Sequence, residues 1–228
     1  MGLLLCCDRR IVQQTIDLRS GNWNKKEYAK ARGMKGMTLG VVGVGAIGKA
    51  VIQRARAFEM NLIVWSRSMT VDRAAEFGAT NGGQDRASLL EMLGKCDAVS
   101  LHVAATEETK GMCDAAFFAA MRDGAYFINT ARGSVVDEAA LADAVASKGI
   151  RCGLDVYQNQ PPTPVAQWKP LAANLPGVAL THHVGASTDQ AQVAVSAEVL
   201  RIVRLFIDTG RFDNCVNADG LGTTQCPA

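Results

Sequence analysis

The chain has no long apolar run; none of its stretches approaches the roughly 20 residues that a membrane span needs. It also has no basic block. The 24 Lys and Arg residues stand against 22 Asp and Glu, a net charge of +2. Neither nucleic acid nor an anionic membrane is therefore an expected partner. Metal-ligating patterns are scarce: there are only three histidines, and none of the seven cysteines forms a C-x-x-C pair or neighbours a histidine. A zinc site is not expected. The odd cysteine count, in largely apolar surroundings, reads as reduced thiols in a cytoplasmic protein. A lipid anchor is disfavoured, because Cys6 stands where a myristoylation pattern wants Ser or Thr. Three leucines are too few for a secretory signal.

What is present is ordinary for a globular chain: 228 residues, 48% hydrophobic and 20% charged. Leu4, Cys7, Ile11 and Leu18 recur at helical spacing and predict one helix running to about Arg19, with no capping residue at its start. The polar stretch "WNKKEYAKARGMKG" reads as an arm that packs on something else. From Thr38 short apolar runs alternate with helical patterns: "TLGVVG", a helix from Ala46 to Phe58 with Ile47, Val51 and Phe58 on one side, then "NLIVWS", "DAVSLH", "AYFINT", "IRCGLD" and "GVALT". Helices are also expected near "DAAFFAAM" and from Asp137 to Ser147. Such alternation implies an α/β fold with a doubly wound parallel sheet. Five of the six prolines fall between Pro161 and Pro176, marking a long irregular loop. Ser187 and Gln190 read as a capping box opening a last helix, with Val193, Ala197, Leu200, Val203 and Ile207 inward and Gly210 as its stop. A frayed tail is expected. The chain divides into an interdomain helix and arm over 1–33, a nucleotide-binding domain over 34–187, and a terminal helix and tail over 188–228.

Gly43-Val44-Gly45-Ala46-Ile47-Gly48 is G-x-G-x-x-G between a strand and a helix, the context in which the pattern holds a dinucleotide. Gly43 permits the tight turn, Gly45 lets a pyrophosphate approach, and Gly48 lets helix and strand close up. The helix start and its dipole hold the phosphates. An NAD site would place Asp or Glu at the end of the second strand. Here Ser66 and Arg67 stand instead, which favours NADP over NAD.

Ligands of open parallel sheets collect beyond the carboxyl ends of the strands. Those ends run into His102, into Thr130-Ala131-Arg132, into Asp155, and into His182-His183-Val184-Gly185. One buried rim offering an arginine, an aspartate and histidines suits proton transfer and carboxylate recognition.

The segments "VVGVGAIGKAV", "LHVAATEETKGM", "INTARGSVVDEAAL", "GLDVY" and "HHVGAST" resemble those of the D-isomer-specific 2-hydroxyacid dehydrogenases over about Gly2 to Asn217. The likeness is strongest to D-3-phosphoglycerate dehydrogenases, which implies a place in serine biosynthesis. The resemblance implies a Rossmann domain binding NAD or NADP, with Ala46 and Ile47 at the pyrophosphate and Ser66 at the adenosine ribose. It implies Val103, Thr130, Ala131 and Asp155 around the nicotinamide, with Gly185 also on the cofactor. Arg132 would hold the carboxylate and carbonyl of a small 2-hydroxy or 2-keto acid, a bidentate task that suits a guanidinium. His183 would exchange the proton as hydride moves. The arm would be a homodimer element.

Two departures qualify this. Where the family has a glutamate before proline, paired with the catalytic histidine, this chain has Gln160. An amide orients the ring but lends no charge, so activity is expected to fall on the order of 10–10³-fold. Secondly, the helix matching "GLLLCCDRRI" is a mid-chain connector in the family, preceded by a substrate domain of about one hundred residues. Closure of that domain assembles the site, so this chain is expected to bind cofactor with poor catalysis alone and to leave the face of its last helix exposed. A non-catalytic NAD(P)-binding dimer module, or a truncated gene product, is the alternative reading. A Gly-rich methyltransferase fold would explain the cradle, but not Arg132, Asp155 and His183 together.

Overall fold

The computed structural model describes residues 1–215. The expected tail and Cys226 lie outside them. The chain separates into two compact units, Met1–His183 and a second from Val184 onward.

The first unit is built on seven parallel strands: β1 (Thr38–Val42), β2 (Asn61–Trp65), β3 (Thr80–Asn81), β4 (Ala98–Leu101), β5 (Tyr126–Asn129), β6 (Arg151–Leu154) and β7 (Val178–Leu180). Their order is β3-β2-β1-β4-β5-β6-β7, so the winding reverses between β1 and β4. That is the doubly wound parallel sheet expected from the alternation. The register aligns the carboxyl ends in one row: Trp65, Val42, Leu101, Asn129, Leu154 and Leu180 pair successively across the sheet.

Side-chain alternation places apolar groups on both faces. Val42, Leu101 and Phe127 join one core with Phe117 and Phe118, while Leu39, Val41, Tyr126 and Ile128 join the other with Leu4 and Ile52. The three phenylalanines meet edge to face, with centroids 5.1 to 6.1 Å apart.

Helices α1 (Gly2–Arg9), α2 (Ile11–Arg19), α3 (Lys25–Tyr28), α4 (Ala46–Ala57), α5 (Val71–Glu76), α6 (Arg86–Leu93), α7 (Ala115–Ala120) and α8 (Glu138–Lys148) complete this unit. The starts of α5 to α8 follow hydroxyl or carboxylate caps. Asp114 accepts Phe117 N–H, Asp137 accepts Ala139 and Ala140 N–H, and Asp85 forms a capping box with Ser88. The sequence reading did not name α3, α5, α6 or β3.

Several expectations are corrected. The first helix is two, broken at Arg10 with φ 52°. Arg10 holds Glu27 at 2.6 Å and lies over the Tyr28 ring, so the break folds α2 toward α3. In α4 the buried face is Gly48, Ile52 and Ala55, whereas Ile47 and Phe58 are exposed. The helix meets the sheet through its glycine, which turns Ile47 out to the rim. In the second unit, α9 (Asp189–Thr209) is capped by Thr188, not Ser187. Its Val193, Ala197, Leu200, Val203 and Ile207 are exposed rather than inward.

Two buried carboxylates fasten the arm's return to the sheet. Asp8 accepts the Arg32 and Gly33 N–H groups and the Tyr126 hydroxyl. Asp97 accepts Thr38 N–H and both Arg32 and Arg122.

Candidate active site

The residues one step past the aligned strand ends are Ser66, Gly43, His102, Thr130, Asp155 and Thr181. The site is this row and the loops that rise from it.

At β1 the chain turns into α4 through the glycines. Gly43 has φ +94°, and a Cβ there would lie 2.6 Å from the His102 carbonyl oxygen and 3.0 Å from Val103. At Gly48 a Cβ would lie 2.2 Å from the Gly43 oxygen. Both glycines are thus demanded by the protein's own packing. Gly45 is not: its φ of −75° suits any residue, and a Cβ there meets nothing within 4 Å. The first turn of α4 carries no acidic side chain and no side-chain cap, so its N–H groups face open space beside Ala46 and Ile47, which are exposed. An open glycine against free helix-start donors fits a pyrophosphate.

Gly43 N–H donates to Trp65 O at 2.8 Å, which sets the end of β2, with Ser66 half-buried and Arg67 exposed, beside the cradle. His102 borders the cradle on the other side. Its Nε2 lies 2.9 Å from Ser100 Oγ, and burial pushes its pKa down to about 4, so it is neutral near pH 7.

At β5 the turn into Arg132 is shaped by Asn129, a residue the sequence reading passed over. Asn129 is buried; its Oδ1 accepts Ala131 N–H at 2.9 Å and its Nδ2 donates to Arg132 O at 3.0 Å. Ala131 is buried, Thr130 and Val103 are half-buried, and Arg132 is exposed. At β6 Asp155 is buried and accepts the Thr181 hydroxyl at 2.6 Å, which ties it to the end of β7.

The loop after β6 joins these parts. A Cβ at Gly133 would lie 2.0 Å from Tyr157 C and O, so the arginine loop and the Tyr157 loop are in backbone contact. Tyr157 N–H donates to Gln160 Oε1 at 3.2 Å, and Gln160 Nε2 lies 2.6 Å from His183 Nδ1. Tyr157 is also anchored by its hydroxyl, 2.7 Å from Thr181 O, and by its ring against Trp168. Successive contacts therefore run from Arg132 to His183. Gln160, Tyr157, Trp168 and both His182 and His183 line a cavity of about 660 Å³ with the Pro161–Pro164 turn.

The rim differs from the expected one in exposure: Asp155 is buried, but Arg132 and His183 are open to solvent. His183 also holds φ 55°, a left-handed conformation that non-glycine residues rarely adopt. Gly185 falls in the second unit.

The Gln160 contact fixes a tautomer. An amide nitrogen only donates, and Tyr157 N–H marks the other amide atom as oxygen. His183 Nδ1 must then accept, which puts the neutral ring's proton on Nε2. Such a ring can donate a hydrogen bond to a carbonyl oxygen. To carry a second proton at Nδ1, the Gln160 amide must turn over and give up its bond from Tyr157.

The reversing sheet and glycine cradle define a dinucleotide-binding α/β domain. Residues 1–185 match the family described as D-isomer specific 2-hydroxyacid dehydrogenase, NAD binding domain, and the chain belongs to that family. It is 37% identical over 212 residues to hydroxypyruvate reductase of Thermotoga maritima, covering 92% of this chain and 65% of that protein. It is 34% identical to D-3-phosphoglycerate dehydrogenase 2 of Saccharomyces cerevisiae, covering 95% and 46%. Among solved structures, a glyoxylate reductase from Paecilomyes thermophila superposes with TM-score 0.82 at 32% identity, covering 96% of this chain and 63% of the other. A D-lactate dehydrogenase from Aquifex aeolicus, complexed with NAD and lactic acid, gives 0.77 at 29%, covering 91% and 64%. The chain spans less than two thirds of the length of these relatives. The family description and the Aquifex complex both name NAD, a dinucleotide that the cradle fits.

Proposed function

We propose that this chain supplies the cofactor-binding and acid–base parts of a dehydrogenase that interconverts D-2-hydroxy acids and 2-keto acids. The observation that carries the reading is the single row of strand ends, from which the Gly43–Gly48 cradle, the Arg132 loop and the Gln160–His183 pair all arise. Gly45, Ala46 and Ile47 would hold the pyrophosphate, Ser66 and Arg67 the adenosine ribose, and Val103, Thr130, Ala131 and Asp155 the nicotinamide end. A nicotinamide held there would supply hydride exchange with the substrate carbon.

Arg132 donates a two-pronged hydrogen bond to the substrate carboxylate and carbonyl, fixing the reacting carbon. His183 Nε2–H donates to the carbonyl oxygen, where negative charge develops on reduction. Complete proton transfer from Nε2 requires Nδ1 to be protonated, and hence the turned-over amide. Gln160 thereby gives the doubly protonated ring less support than a carboxylate would.

Hydroxypyruvate, glyoxylate and 3-phosphohydroxypyruvate are the keto acids to test, the last being the expected substrate. Oxidation of reduced nicotinamide by one of them, lost in Arg132→Ala, supports the reading. Turnover unaffected by that substitution overturns the role given to Arg132, and turnover absent with every keto acid in a protein that binds cofactor favours the non-catalytic module.

A homodimer is part of the proposal. The exposed Ile11, Ile16, Leu18 and Trp23 of α2 and the arm give it apolar area. A cytoplasmic setting agrees with the buried thiols: burial pushes Cys7 and Cys96 up to about 12, so they stay protonated and inert. No helix among the described residues is long and apolar enough to cross a membrane.

A further inference from the structure

We infer that the cavity at the Pro161–Pro164 turn receives the substituent on the substrate's carbonyl carbon, and that this substituent is bulky, uncharged and best an aromatic ring. The inference deepens the proposed function and rests on Arg132 and His183 holding a 2-keto acid. The carbonyl carbon carries three groups. Arg132 takes the carboxylate and His183 the oxygen, which leaves the substituent. His183 is also part of the cavity wall, so the cavity begins beside the reacting carbon. All of its lining residues belong to the first unit.

Size and lining decide which substituent fits. The cavity measures about 660 Å³, whereas about 150 Å³ is enough to hold benzene. A hydroxymethyl group, or the single hydrogen of glyoxylate, leaves it nearly unfilled. The wall is largely proline, with Tyr157, Val165, Ala166 and Trp168. No lysine or arginine lines it, which sets it apart from a phosphate site and from the phosphorylated acid that the resemblance favours.

Apart from His182, the polar atoms of the wall are committed elsewhere. The Tyr157 hydroxyl lies 3.1 Å from Leu154 O and 2.7 Å from Thr181 O, and the Thr163 hydroxyl donates to Val165 O at 3.2 Å. Both amide atoms of Gln160 are engaged by Tyr157 N–H and His183. Ring and aliphatic surface is what remains for a ligand. Trp168 is held in place: its ring meets Tyr157 edge to face at 5.4 Å, and the chain beyond it is anchored by buried Ala172. Val165 is nevertheless 87% exposed and Trp168 39%. Open apolar groups on a concave wall beside the acid–base histidine match the faces of an aromatic side chain.

The test compares phenylpyruvate, hydroxypyruvate, 3-phosphohydroxypyruvate and glyoxylate with the full chain. Turnover is followed with reduced cofactor, and binding by calorimetry with oxidised cofactor, where no reduction occurs. Phenylpyruvate should exceed both glyoxylate and the phosphorylated acid by about 10- to 100-fold in kcat/KM and in affinity. Trp168→Ala should cost phenylpyruvate about tenfold more than glyoxylate, and Trp168→Phe should restore most of that loss. Glyoxylate has no substituent, so its value reports any disturbance of His183 itself. Val165→Lys, on an exposed loop, should narrow or reverse the order of phenylpyruvate and the phosphorylated acid. Preference for the small or phosphorylated acids overturns the inference while sparing the proposed function. So does an equal loss of phenylpyruvate and glyoxylate in Trp168→Ala, which marks a purely structural role. Binding in the expected order without turnover supports the cavity and counts against catalysis by this chain. Neither binding nor turnover with any keto acid overturns the proposed function and this inference together.

Discussion

The cradle and the proton-transfer rim rise from the same row of strand ends, yet they are made of different material. At the cradle the backbone is the site. Gly43 and Gly48 are forced by contacts of 2.6 and 2.2 Å, Gly45 leaves space, and the α4 N–H groups supply the donors. At the rim, side chains from three loops are the site, and each is held by one or two hydrogen bonds: Asn129 to the arginine loop, Tyr157 N–H to Gln160, Gln160 to His183. A backbone site is fixed by a short local motif and tolerates change elsewhere. A side-chain relay is only as well aimed as its weakest link, and here that link is an amide.

Substitutions can break or sharpen this contrast. The largest effect is expected at Arg132. Arg132→Ala should lower the rate of keto-acid reduction by about 10²–10³-fold while leaving cofactor affinity unchanged. Steady-state kinetics beside cofactor titration checks this, and a matching loss of cofactor affinity would merge rim and cradle. Next is Gln160→Glu. A carboxylate accepts from Nδ1–H and supports the charged ring, so reduction should speed up by about 10–10³-fold, most at neutral pH and above. An unchanged pH–rate profile would show that the amide is not the limiting link.

Within the cradle, Gly48→Ala and Gly45→Ala should part company. The first pushes a methyl into the Gly43 carbonyl and should cost about 1–3 kcal/mol of stability in denaturant unfolding. The second should leave stability within about 0.5 kcal/mol and weaken dinucleotide binding instead. Equal stability losses would remove the argument that Gly45 is glycine for a ligand's sake.

The last effect is one of pH and concerns His102. Its pKa is about 4 in the fold, against about 6.5 unfolded. The unfolded chain binds more protons between those values, so stability from the neutral ring is complete above about pH 6.5 and is lost as pH falls toward 4. Unfolding measured across that window should show a decline of about 2–3 kcal/mol, shallower in His102→Asn. An identical slope in both proteins would place the acid sensitivity elsewhere.

The same contrast explains what the sequence could be read for. The six longer strands were legible because each is a short apolar run between helical patterns, whereas Thr80–Asn81 is two polar residues that pair only because β2 lies beside them. The cradle was legible because its requirements fall within six consecutive residues. The break at Arg10 was not, since it depends on Glu27 and Tyr28 reaching back from α3. Nor was the part played by Tyr157 and Gly133, whose contact joins loops distant in sequence. For Asn129 a signal existed: a buried strand ending in an amide before Thr-Ala-Arg. The α9 stripe was legible as apolar, but its exposure followed from the family's use of that helix and not from the stripe, which states only that a helix wants a partner.

The claim on which the chemistry turns is that Gln160 selects, for the neutral His183 ring, the tautomer protonated on Nε2. Nitrogen-15 NMR of the histidine side chains at neutral pH reads this directly, with Gln160→Glu as the comparison. The account predicts an unprotonated Nδ1 and a protonated Nε2 for His183, changing to a protonated Nδ1 when glutamate replaces the amide. A His183 with its proton on Nδ1 in the unaltered chain would contradict it.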